Sequence, residues 1–175
     1  MSNAAGIAPS GNRTLTISAG EGEAIWFNGA LMVVKAPGQW SEDAFSLVEV
    51  AMPKGRATGL HTDPSDETFY VLEGELLFHI DGEERSAPAG ETVAIRRGVP
   101  HAFMAVSEIA RFLVLNTPGT HDRFFRDGGF PATDRDFASA PPPDLARTKA
   151  AAERHGVELL GPPPFSEDVV RLRSG

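Results

Sequence analysis

The chain contains no cysteine. That absence excludes disulfides, thiolate metal sites and cysteine nucleophiles together, so any bound metal must be held by nitrogen and oxygen from His, Asp or Glu. Long hydrophobic runs are also missing. No stretch approaches the roughly 18 uninterrupted apolar residues of a membrane span, and no basic region followed by an apolar run opens the sequence. The expectation is a cytoplasmic protein with no membrane partner. Basic residues are the minority, 16 Lys and Arg against 24 Asp and Glu, for a formal charge of −8. No basic patch breaks that balance, so phosphate backbones are repelled and no nucleic-acid partner is expected. Histidine is scarce as well, five in 175 residues, and the five become the positions to follow.

What is present is an ordinary globular balance, 41% hydrophobic and 23% charged, which excludes a disordered, collagen-like or coiled-coil chain. A length of 175 residues fits one domain with a single sizeable core. Residues 1–14 are small and polar and read as a flexible tail. From 15 to 116 the apolar residues come in short runs broken by Gly, Pro and Asp: Ala24–Phe27, Leu31–Lys35, Phe45–Met52, Thr68–Leu72, Leu76–Ile80, Thr92–Ile95, His101–Val106 and Arg111–Leu115. This is the spacing of about eight strands, and it predicts an all-β sandwich or small closed barrel. Asp81-Gly82 is expected to form a two-residue type I′ hairpin turn. Beyond Pro118 the composition changes. Thr120–Asp127, stopped by Gly128-Gly129, and Asp144–His155, stopped by Gly156, read as helices, with Pro141–Pro143 and Pro162–Pro164 as extended linkers. Residues 117–175 are therefore expected to be a helical, proline-rich appendage packed on the barrel.

The segment Gly55 to Gly74 carries the most chemistry. On an extended chain alternate side chains share a face, so His61 and Asp63 point the same way, while Glu67 enters from the next strand on the face of Phe69 and Val71. A second segment, Gly90 to His101, starts another strand with a histidine. Two imidazoles and one or two carboxylates converging inside a barrel suit a divalent first-row metal.

These residues resemble the two motifs of the cupin superfamily. Gly55, His61, Glu67 and Gly74 fall on the first, and Gly90, Gly98 and His101 on the second, with fifteen residues between the motifs. Three positions depart: Asp63 stands where the family has a second histidine, Arg96 replaces a proline and Ala105 an asparagine. The resemblance implies a cupin-type β-barrel of the jelly-roll, double-stranded β-helix kind. It implies one divalent metal ion (Mn, Fe, Ni, Zn, Co or Cu) held by His61, Glu67 and His101. Asp63 is open: as a further ligand it makes the site more anionic, and turned away it leaves a weaker one. The segment Pro118 to Pro131 resembles the stretch immediately after the barrel in bacterial single-cupin quercetin dioxygenases. By that resemblance the activity is a quercetinase-like dioxygenase acting with O2 on a small aromatic or enolic substrate, with Glu67 as the catalytic proton acceptor, and the assembly is a homodimer. The alternatives are a metal-dependent cyclase or isomerase and a non-catalytic binder of a small ligand.

Each residue also has an ordinary role to be weighed. His61 and His101 could be plain strand histidines, Glu67 a solvated acid and Asp63 a turn initiator before Pro64. Phe45, Phe69, Val71, Phe103 and Phe124 are candidates for the substrate pocket, although most phenylalanines in a barrel are core. Glu49 is a candidate second acid on the face of Phe45 and Leu47. Tyr70 is expected to point outward and His79 to be exposed, while His121 and His155 are expected in cap or surface roles. Neighbours on a helix do not face one partner squarely, so only one of Phe124 and Phe125 is expected to close the barrel mouth.

Overall fold

The computed structural model describes residues 13–166; most of the expected tail and the last nine residues lie outside the described residues. Twelve strands are present among the described residues. They are β1 (Glu23–Phe27), β2 (Ala30–Ala36), β3 (Ser46–Pro53), β4 (Leu60–Thr62), β5 (Asp66–Glu73), β6 (Glu75–Ile80), β7 (Glu83–Pro88), β8 (Thr92–Ile95), β9 (His101–Ala105), β10 (Ile109–Thr117), β11 (Phe130–Pro131) and β12 (Glu158–Gly161). Two helices, α1 (His121–Gly128) and α2 (Leu145–His155), lie between β10 and β12. The strands form a seven-stranded sheet in the order β11-β1-β2-β3-β10-β5-β8 and a five-stranded sheet in the order β12-β4-β9-β6-β7. Every pairing is antiparallel, and the core lies between the two inner faces.

Alternation along the strands sets what each inner face presents. In the larger sheet the register aligns Glu67, Asn116 and Ser46 across β5, β10 and β3, all buried. The next inward row is Phe69, Val114 and Val48, and the one after it Val71, Phe112 and Val50. The smaller sheet answers with His61 opposite His101, then Phe103 opposite Phe78, then Ala105 opposite Leu76. The barrel interior is thus polar at one end and apolar through the rows beneath. Phe69 packs edge-on to Phe78 and Phe103, with ring centroids 5.1 and 5.2 Å apart, and closes the space directly under the polar row.

The turns follow their residues. Asp81 and Gly82 both have positive φ, 49° and 87°, as the type I′ hairpin requires. The four motif glycines, Gly55, Gly74, Gly90 and Gly98, all sit at positive φ between 74° and 92°, so the motif spacing is a record of where the chain must turn. At α2 the Asp144 carboxylate accepts from the Arg147 N–H at 2.9 Å, and Gly156 ends the helix at φ 74°.

The region after 116 adds two short strands to its helices: β12 pairs antiparallel with β4, placing Leu159 opposite His61, while β11 extends the other sheet beside β1. The region also shares the barrel's core, since Phe124, Phe125, Ala151, Ala152 and Val157 belong to the same buried cluster as Phe69 and Val48. Residue 117 therefore marks a change of secondary structure but no boundary in the core.

Candidate metal centre

His61, Asp63, Glu67 and His101 converge at the polar end of the barrel, each offering one ligand atom, and these atoms all lie within 4.8 Å of one another. His61 and His101 are neighbours across the β4–β9 pair, Glu67 projects from β5, and Asp63 sits just beyond β4 with its carbonyl accepting from the Gly98 N–H at 2.9 Å. His61 Nε2 lies 3.1 Å from Asp63 Oδ2, and His101 Nε2 lies 3.6 Å from the same oxygen and 2.9 Å from Glu67 Oε2.

The protonation of the two imidazoles decides what this cluster can hold. His61 Nδ1 is 2.8 Å from the Gly59 carbonyl and His101 Nδ1 is 2.9 Å from the Val99 carbonyl. A carbonyl can only accept, so each Nδ1 carries the proton and each neutral ring turns the lone pair of Nε2 into the cluster. Asp63 Oδ1 and Oδ2, Glu67 Oε2 and His101 Nε2 are all buried without a hydrogen-bond partner. Asp63 Oδ2, Glu67 Oε2 and His101 Nε2 converge as buried acceptors with no hydrogen-bond donor, which is costly, and a divalent cation would satisfy them. The fixed Nδ1–H···O=C contacts are also the outer support that metal-binding histidines use.

The charges respond accordingly. Burial alone would raise the Asp63 carboxyl, but the charge of His121, the hydrogen bond and charge of His61 and the charge of His101 hold it well below the usual carboxylate range. Burial opposes protonation of His61, and the hydrogen bond and charge of Asp63 with the charge of Glu67 overcome it, raising the imidazole above its ordinary value.

Of the residues nominated from the sequence, the four metal-ligand candidates are together. Phe69 and Phe103 lie in the row beneath them, and Phe124 reaches the same end of the barrel from α1, 5.2 Å from the His121 ring. Val71 is one row deeper, about 13 Å along the strand from Glu67 at 3.2–3.4 Å per residue, so the row of Phe69 separates it from the cluster. Phe45 precedes β3 and is half-buried against Trp40, with centroids 6.2 Å apart, outside the aromatic group that floors the site. Glu49 alternates with buried Val48 and Val50 and faces outward, where Arg111 Nη2 approaches Oε1 at 2.5 Å and Lys35 Nζ lies 3.9 Å from Oε2. It is no second acid. Tyr70 points outward as expected, whereas His79 is half-buried next to Phe165. Both Phe124 and Phe125 turn inward, edge-on to Phe27 at 5.0 and 5.3 Å. His155 does take a surface role, 2.8 Å from Asp127.

Two residues went unrecognised. Asn116 Nδ2 donates to Glu67 Oε1 at 2.9 Å; its signal was a polar residue closing the inward series Phe112, Val114, Asn116. His121, expected in a cap or surface role, is buried with Nδ1 3.4 Å from Asp63 Oδ1. His121, Phe124, Phe125 and Gly128 fall at i, i+3, i+4 and i+7 and form the buried stripe of α1, which also explains why both phenylalanines are inside.

The class of protein is thus a two-sheet antiparallel β-barrel with a nitrogen and oxygen cluster at one end that could hold a metal ion. The cupin domain family matches residues 48–116, spanning both motif segments and the four clustered residues. Among curated relatives it is 26% identical over 134 residues to quercetin 2,3-dioxygenase of Bacillus subtilis (strain 168), covering 76% of this chain and 40% of that protein. The chain thus spans well under half the length of that relative. Among solved structures it resembles an RmlC-like cupin from Shewanella frigidimarina NCIMB 400, with a TM-score of 0.54 and 20% identity over 62% of this chain and 96% of that one. It also resembles KdgF from Halomonas sp., with a TM-score of 0.54 and 18% identity over 61% and 94% of the two chains. At these identities the solved structures speak to the fold alone.

Proposed function

We propose that the protein is a metal-dependent oxygenase of a small aromatic or enolic compound, similar in chemistry to quercetin 2,3-dioxygenase. The observation that supports this most is the convergence of one ligand atom each from His61, Asp63, Glu67 and His101, the last three buried, over a floor of aromatic rings. These four would hold one divalent ion, which when bound supplies a Lewis acid that acidifies an enol or phenol and holds it against O2. Two carboxylates with two neutral imidazoles match the charge of a divalent cation and favour the harder members of the first row, Mn2+ and Fe2+.

The chain's own residues supply the rest. Asn116 fixes Glu67 Oε1, leaving Oε2 as the oxygen that takes the substrate's hydroxyl proton. Phe69 and Phe103 offer an apolar surface for a flat ring, and Phe124 flanks it from α1. The His61 side chain is 13% exposed against 1–5% for the other three, so substrate enters on the side of His61. The substrate supplies the electrons and receives both atoms of O2, so no external reductant is needed.

Oxygen consumption by Mn2+- or Fe2+-loaded protein with a flavonol tests this reading. The expected result is uptake matched to substrate loss, abolished by chelation and in His61→Ala. Metal-loaded protein that consumes no oxygen with flavonols and related enols would overturn the oxygenase reading. Anaerobic turnover at the same site would assign it to metal-assisted cyclisation or isomerisation.

A further inference from the structure

Asp63 occupies the position at which the cupin motif has a histidine, and the exchange alters the number of acceptors. An imidazole held through Nδ1 presents one lone pair to a metal, whereas a carboxylate brings two oxygens, and the second must find a donor. In this chain the two oxygens face different ways. Asp63 Oδ2 faces His61 Nε2 at 3.1 Å and His101 Nε2 at 3.6 Å. Asp63 Oδ1 lies 3.4 Å from His121 Nδ1, within ion-pair distance but without a hydrogen bond.

The surroundings hold His121 in that place. Its ring is wedged against Phe124 and Phe125, with centroids 5.2 and 4.8 Å away, and is 5% exposed. The segments carrying the two residues are joined where Ser65 Oγ donates to the Pro118 carbonyl at 3.0 Å. Downstream, the Asp122 carboxylate accepts from the Gly38 N–H at 3.3 Å and from Arg126 Nη1 at 2.6 Å, fixing the first turn of α1 against the chain before β3. His121 is not one of the four groups whose ligand atoms converge. Its contact runs to the carboxylate.

We propose that His121 is a positioning residue for Asp63: it holds Oδ1 from outside the cluster, so that Oδ2 is presented to the metal. The missing motif histidine is thereby replaced by a pair, a carboxylate from the barrel and an imidazole from the helix after it. This inference rests on the metal-centre reading. It makes α1 part of the site, and it makes Asp63 a working ligand in place of the histidine.

The test is titration of the metal-free full chain with Co2+, following affinity by competition with a chromophoric chelator and the visible d–d bands. His121→Phe keeps a ring between Phe124 and Phe125 but removes the nitrogen, and His121→Asn returns a donor near the place of Nδ1. The expected result is Co2+ affinity at least about tenfold weaker in His121→Phe, the usual size for loss of an outer partner, with part of the loss restored in His121→Asn. The d–d bands of His121→Phe should shift in the same sense as those of Asp63→Ala, and His121→Phe should cost nothing further on the Asp63→Ala background. Denaturant unfolding of the metal-free variants separates loss of fold from loss of position. Affinity in His121→Phe within about twofold of the parent, or additive losses in the double variant, would overturn the proposal. A parent chain that binds no Co2+ would overturn the metal-centre reading, and this inference with it, and that outcome is distinct from a parent that binds alongside a variant that binds equally well.

Discussion

Asn116 and Glu67 illustrate how much one residue decides here. The buried amide donates to Glu67 Oε1 and leaves Oε2 without a hydrogen-bond partner. Asn116→Leu keeps the volume and strands Oε1, so the metal-free chain should lose about 1–3 kcal/mol in denaturant unfolding, the cost of a buried unpaired acceptor. His101→Ala removes a ligand candidate together with its support at Val99, and metal binding by equilibrium dialysis should fall by at least about tenfold. The motif residues were legible in the sequence because their spacing is dictated by strand alternation and by turns that need positive φ. Asn116 and His121 were not, because they lie outside the motif window and reach the site through register and helix phase. Asp63 was legible as a position but not as a ligand, since only the fold reveals that its second oxygen has an imidazole beside it.

Elements were legible where alternation ran long enough. The eight strands expected from apolar runs are all present within a few residues of their expected ends, as are both helices. The strands β11 and β12 escaped because they are two and four residues long and carry no alternating pattern; all four residues of β12 are exposed. Two turns give a paired prediction. Gly82 has φ 87° and open space where a Cβ would lie, so Gly82→Ala should cost about 1–2 kcal/mol, the penalty for a left-handed L-residue. At Gly74, φ is 74° and a Cβ would overlap Ser107 Oγ and the Ile109 carbonyl, so Gly74→Ala should be clearly worse than Gly82→Ala by thermal unfolding. The helices supply a pH dependence. Asp127 accepts from His155 and Arg154 at 2.8 Å each, and these hydrogen bonds lower its carboxyl below the ordinary 3.8. A depressed carboxyl stabilises the fold above its unfolded value and loses that contribution as pH falls through the folded value. The stability gap between the parent and Asp127→Asn should therefore shrink below about pH 4 in pH-dependent unfolding, the range set by the unfolded carboxyl.

For the whole molecule, the unity of the core matters more than the change of secondary structure after β10. Residues from α1, α2 and the chain beyond them are buried in one cluster with the barrel strands, and β11 and β12 extend the two sheets. The barrel and the region after it should therefore unfold together, in a single transition by near-UV and far-UV dichroism alike. The acidic balance of the chain also reads differently once two of its carboxylates and two imidazoles bring ligand atoms within 4.8 Å of one another. Binding there favours the folded state, by about 2.7 kcal/mol at a hundredfold excess over the dissociation constant. The central claim is that His61, Asp63, Glu67 and His101 are one metal site, and metal analysis after equilibrium dialysis of the full chain against Mn2+ or Co2+ tests it most directly. The expected result is about one ion per chain, lost in His101→Ala and at pH values where the imidazoles are protonated. Less than about a tenth of an ion per chain, or binding that His101→Ala leaves unchanged, would contradict it.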